Sequence, residues 1–143
     1  MLAAGATASV AGLAIAVTRL RSHEVPRTAV LGAVFFVASL ITLPVGPTTI
    51  HPVLGGLMGI VLGWAALPAI TVSLVLQLVF FGFGGLTSLG VNVFNIALPA
   101  LLAGLVFKPW LGRAATAQTV GLLGATAGAV TVLATGGLVA LTL

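Results

Sequence analysis

Apolar residues fill this chain in long runs, from Leu2 to Thr18, Ala29 to Leu43, Val53 to Leu67, Ala69 to Phe83, Val91 to Phe107 and Ala114 to Leu143. Each run reads as a membrane-spanning helix, and the polar residues gather mostly in the gaps. Several runs are 15 to 17 residues long. That is at or below the usual spanning minimum of about 17, so these helices are expected to be thinly flanked, untilted or partly re-entrant. The third and fourth runs are separated by Gly63-Trp64-Ala65-Ala66-Leu67-Pro68, which admits either a turn or one proline-kinked helix. A turn at Pro68 puts the Arg19 to Arg27 loop and the Lys108 to Arg113 loop on one side. Positively charged loops face the cytoplasm, so the turn is preferred. The expected fold is an all-α, polytopic membrane bundle of six transmembrane helices forming one domain over 1–143, with its N-terminus outside. Pro44 to Pro52 and Gly84 to Gly90 then share the outer side.

Composition strengthens the membrane reading. The chain is 60% hydrophobic and 4% charged, with a mean hydropathy of +1.34, whereas a soluble domain carries about a quarter charged residues. Its charged side chains are Arg19, Arg21, Glu24, Arg27, Lys108 and Arg113, too few to cover a water-facing surface. The net charge of +4 sits in two short clusters without interleaved aromatics, which suits orientation signals and not nucleic-acid binding. Cysteine is absent, which excludes disulfides, thiolate metal sites and thiol catalysis. The first run has its positive charges after it, whereas a signal peptide carries them in front, so it is expected to be retained as a helix.

Glycines at 55, 59 and 63, and at 124 and 128, recur every fourth residue. In lipid, helices associate through close packing, and small residues at this spacing permit it, within the chain or against another subunit. No internal repeat or soluble domain is visible.

Chemistry has few places to reside. No Asp or Glu lies within a span, so the intramembrane carboxylate common in proton-coupled carriers is missing. Lys108 lacks the glycines of a phosphate-binding loop. The two histidines fall on opposite sides, and no nucleophile with a base stands out, so catalysis is not expected. Uphill transport would need energy from a partner. Serines and threonines in the spans are expected to bond carbonyls one turn back.

Two polar clusters remain. In the loop Pro44 to Pro52, Thr48, Thr49 and His51 precede Pro52 at the expected start of a helix. The helix dipole there keeps an imidazole neutral, which is its metal-binding form. An interfacial histidine bonded to water or a carbonyl fits the same pattern. The second cluster comprises Gln77, the Gly84 and Gly85 pair, and Asn92 with Asn95. Amides at this depth need partners. Asn92 and Asn95 share a helix face that can turn toward the His51 loop, and Gly84 and Gly85 suit a sharp, partly re-entrant turn. These amides serve equally well as glue between helices. His23 reads as a solvated loop residue, and Trp64, Trp110 and the phenylalanines as interfacial aromatics.

Pro44-Val45 with Thr48, Thr49 and His51, then Gln77, then GFGGLTSLGVNVFN from Gly82 to Asn95, then Ala97-Leu98-Pro99-Ala100 together resemble the CbiM/NikM family. These are substrate-binding membrane subunits of energy-coupling factor importers for cobalt and nickel. The resemblance implies a plasma-membrane protein without a bound cofactor, which captures the metal ion from outside. It also implies a transmembrane coupling subunit, cytoplasmic ATPases and a small accessory membrane subunit as partners. His51 matches the family's metal-ligating loop histidine, and Thr48, Thr49, Gln77, Asn92 and Asn95 match positions that shape or brace the site. The family opens with a Met-His-Ile-Pro-Asp-Gly-like segment that supplies most ligands. This chain begins Met1-Leu2-Ala3, so it is expected to start downstream of that segment and to lack a last family helix. Two other readings stand beside the metal-binding one: a truncated, non-binding scaffold subunit, and a carrier for a small organic solute.

Overall fold

The computed structural model describes residues 2–41, 43–45, 48–50, 54–82, 85 and 87–142, with backbone alone at 2, 43–45, 48–50 and 142. Six α-helices occupy most of it: α1 (Leu2–Arg19), α2 (Val25–Leu40), α3 (Gly55–Leu62), α4 (Ala66–Phe81), α5 (Leu89–Leu111) and α6 (Ala117–Thr142). The loop expected between the second and third runs contains a small antiparallel ribbon, β1 (Leu43–Val45) with β2 (Thr48–Ile50), which pairs Pro44 with Thr49 and Val45 with Thr48.

Contacts between residues fix the direction of each helix. Parallel packing of α2 and α4 follows from Gly32 lying beside Ala69 and Ser73, and Ser39 beside Gln77. α1 and α5 also run parallel, since Gly5 meets Val91 while Ala16 and Leu101 line one cavity further along. Gly59 of α3 meets Ala100 and Gly104, and Leu62 and Gly63 share that cavity with Leu105 and Lys108. Hence α3 runs with α5. The outcome is an alternating bundle in which α5 touches α1, α3, α4 and α6. Arg19, Arg21, Glu24 and Lys108 gather at one end.

The reversal between α3 and α4 lies at Gly63, not at Pro68. Gly63 adopts φ 57°, ψ −122°, a conformation open to glycine and strained for residues with a Cβ. Pro68 instead falls in the first turn of α4, where its missing N–H removes no helical bond. The same logic lets α2 begin earlier than expected, with Pro26 in its first turn.

Close backbone approach holds the centre together. A Cβ at Gly59 would fall on the Ala100 carbonyl oxygen, and one at Gly104 on that of Gly59. On α6, Thr131 and Gly128 lie against Gly56. Gly121 and Gly124 of α6, by contrast, face open space. Hydroxyls behave largely as local helix bonders: Thr28 donates to Glu24 O, Thr71 to Leu67 O and Thr131 to Ala127 O. Among the described residues, Ser9 bonds between helices, and Ser73 does so in addition to its local bond to Ala69 O. Ser9 Oγ donates to Gly90 O at 2.6 Å, and Ser73 Oγ to Gly32 O at 2.8 Å.

Large apolar side chains cover the outside, with Leu141 77% and Val79 71% exposed, as lipid contact requires and water does not tolerate. By length and composition, Leu89–Leu111 and Ala117–Leu141 are able to cross a membrane, as is the helical stretch Gly55–Phe81 counted end to end, although it contains the Gly63 reversal. Ala3–Arg19 and Ser22–Leu40, bent by 105°, pass together as a fourth, so three or four crossings qualify on this ground.

Candidate metal-capture site

The end of the bundle opposite the basic residues is built around the start of α5. Gly82 closes α4 in the left-handed conformation, φ 69°, with its N–H bonded to Leu78 O at 2.9 Å. Gly85 is left-handed too, φ 63°. Of the expected Gly84–Gly85 turn, Gly85 alone is described and Gly84 lies outside the described residues, while Gly82 contributes a bend that the pairing of 84 with 85 did not anticipate. Gly90 then packs against α1, where a Cβ would come within 2.7 Å of the Ala6 Cα. With the Ser9 bond to Gly90 O, this fixes α1 against the first turn of α5.

Asn92 and Asn95 follow on α5. Asn95 is 1% exposed, whereas Asn92 is half-buried. An amide as deep as Asn95 is retained at a cost unless it bonds within the protein. Gln77 bonds between helices: its Nε2 donates to Ser39 Oγ at 2.7 Å and joins α4 to α2. It braces the helix pair, with Ser73 four residues earlier along the same seam. Ser39, as the partner of Gln77, carried no signal in the sequence, because nothing local marks which helix a serine will face.

Thr48 and Thr49 belong to β2, opposite Val45 and Pro44. His51 lies outside the described residues, just beyond β2 and ahead of α3. Because Gly59 lies against Ala100 and Gly104, the start of α3 stands about two turns below the start of α5. That is close to the height of Asn95. Among the described residues no group of three or more His, Asp or Glu side chains converges.

A family model described as the cobalt uptake substrate-specific transmembrane region matches residues 1–143. The chain belongs to the CbiM family. A putative metal transport protein of Haemophilus influenzae is 46% identical over 108 residues, 76% of this chain and 52% of that protein. A fused nickel transport protein of Rhodobacter capsulatus is 42% identical over 81 residues, 55% of this chain and 23% of that protein. A solved structure of a truncated transition metal transporter superposes with a TM-score of 0.77 at 27% identity, over 94% of this chain and 66% of the other. This CbiM chain thus spans about half the length or less of these curated relatives. Its family is one of transport and not of catalysis, and its apolar helices make it a membrane protein.

Proposed function

We propose that the chain is the substrate-binding membrane component of an energy-coupling factor importer for Co2+ or Ni2+. In this reading, the six-helix bundle lies in the plasma membrane with its N-terminus outside, α3 entering it only part way, and His51 ligates the ion. The observation that carries the reading is the height of α3 beside α5. α3 has eight residues, about 12 Å of helix, against an apolar core about 30 Å thick. The start of α3, which follows Thr48, Thr49 and His51 in the sequence, therefore stands near the depth of buried Asn95 and not at the end of the bundle. Irregular backbone at that depth is tolerated where protein covers it or where it lines a site.

Roles follow for the remaining residues. Gly84 and Gly85 turn the chain so that α5 presents Asn92 and Asn95 to the site. Thr48 and Thr49 shape its wall, and Gln77 braces α4 behind it. Cobalt and nickel both accept imidazole nitrogen, so the two ions remain joint candidates. One imidazole is a weak holder of either. The start of α1 lies against Gly90 and Val91, so residues joined ahead of Met1 enter at the same end as the His51 loop and are able to complete the ligand set. Energy for uptake comes from a coupling subunit with its ATPases. The open glycines 121 and 124 on α6 offer a close-packing face for such a membrane partner.

Isothermal titration tests this reading. A form carrying a Met-His-Ile-Pro-Asp-Gly segment ahead of Met1 is expected to bind Co2+ or Ni2+, and His51→Ala to weaken that binding at least tenfold. Equal affinity in parent and variant, or absence of binding by the extended form, overturns it. Metal binding by the chain without the extension would reject the scaffold alternative. Binding of an organic solute without response to either metal would revive the solute carrier.

A further inference from the structure

The end of the bundle remote from the proposed metal site holds a cavity of about 430 Å³ that the capture of an ion does not use. Three cations line it, Arg19, Arg21 and Lys108, with Glu24 as the one carboxylate. Glu24 already accepts a hydrogen bond from the Arg21 backbone N–H at 3.0 Å, and the lining carries a net charge of +2. Arg19 is held in place: its guanidinium lies over the Trp64 ring, 4.8 Å from the centroid. Such stacking restrains the side chain while leaving its N–H edges free to donate.

The rest of the lining is apolar. Leu62 and Leu101 form part of the wall, and Leu105, 57% exposed, continues it onto the lipid-facing side of α5. Cations at the rim thus sit directly above an aliphatic track. That combination matches an amphiphile whose anionic head stays at the interface while its chains lie along the helix, and basic pockets between helices at the cytoplasmic surface suit such headgroups.

We propose that this cavity is a binding site for an anionic phospholipid, with the phosphate between Arg19, Arg21 and Lys108 and an acyl chain along Leu101 and Leu105. The site rests on the chain being a membrane protein and is independent of the metal reading, so either fails without the other.

Native mass spectrometry of the full chain in detergent, supplied with phosphatidylglycerol or phosphatidylcholine of identical acyl chains, tests it. The parent is expected to retain phosphatidylglycerol preferentially. Each charge removed from the rim should lower that preference about fivefold, so Arg21→Gln with Lys108→Gln should abolish most of it. Lys108→Arg should keep it, and Arg113→Gln, which removes a charge outside the cavity, should leave it unchanged. Equal retention of the two lipids, or an undiminished preference in the double variant, overturns the proposal and leaves the cavity to an acidic segment of a protein partner. Full displacement of phosphatidylglycerol by inorganic phosphate also overturns it, since the cavity would then be a soluble-anion site.

Discussion

At the scale of single residues, glycine decides where the helices are able to meet. Gly59 and Gly104 bring the backbones of α3 and α5 into contact, and a methyl at Gly59 has nowhere to go but the Ala100 carbonyl. Gly59→Ala is therefore expected to cost at least 1–3 kcal/mol, roughly the cost of overpacking, read as a lower thermal unfolding midpoint in detergent. Gly121→Ala, toward open space, should shift stability by no more than about 1 kcal/mol. The periodic glycines of α3 were legible in the sequence because small residues every fourth position suit close packing. Their division of labour was not: Gly63 serves the turn, and Gly124 faces outward. Ser9 makes the same point for polar residues. Its bond to Gly90 crosses 81 positions, and Ser9→Ala should lose about 0.6 kcal/mol, the usual worth of such a bond between membrane helices.

At the scale of elements, hydrophobic runs located every helix but placed their ends by chemistry that runs do not record. Pro26 and Pro68 look like stops in sequence, yet both occupy first turns, where proline is harmless. The real stop between α3 and α4 is a glycine conformation, visible only in φ and ψ. Gly63→Ala should therefore destabilise the chain by about 1–3 kcal/mol, whereas Gly112→Ala, at an ordinary helical φ of −65°, should be nearly neutral. Unfolding midpoints of the two variants check this directly. The short length of α3 was likewise hidden, because Val53 to Leu67 is apolar throughout while α3 ends at Leu62 and α4 has begun by Ala66. That brevity sets the start of α3 near the height of Asn95, which no hydrophobic run records, whereas the residue types of the proposed site were legible in the sequence.

At the scale of the whole molecule, the alternating helices collect both basic loops at one end and the polar loops at the other. The absence of cysteine makes the orientation measurable without a background. In intact cells, a membrane-impermeant maleimide should label Thr87→Cys, and Ser22→Cys should react only after the membrane is opened; the reverse pattern would invert the bundle. Such an orientation matters because the chain is read as a receiver of ions from outside, and that reading turns on one imidazole. The chain has two histidines, His23 in the basic turn and His51 in the polar loop, so a metal-edge X-ray absorption spectrum distinguishes them. With Ni2+ or Co2+ bound to the N-terminally extended form, the imidazole scattering signal should persist in His23→Ala and fall in His51→Ala. A spectrum unchanged by His51→Ala, or one that loses its imidazole signal in His23→Ala, would contradict the proposed site.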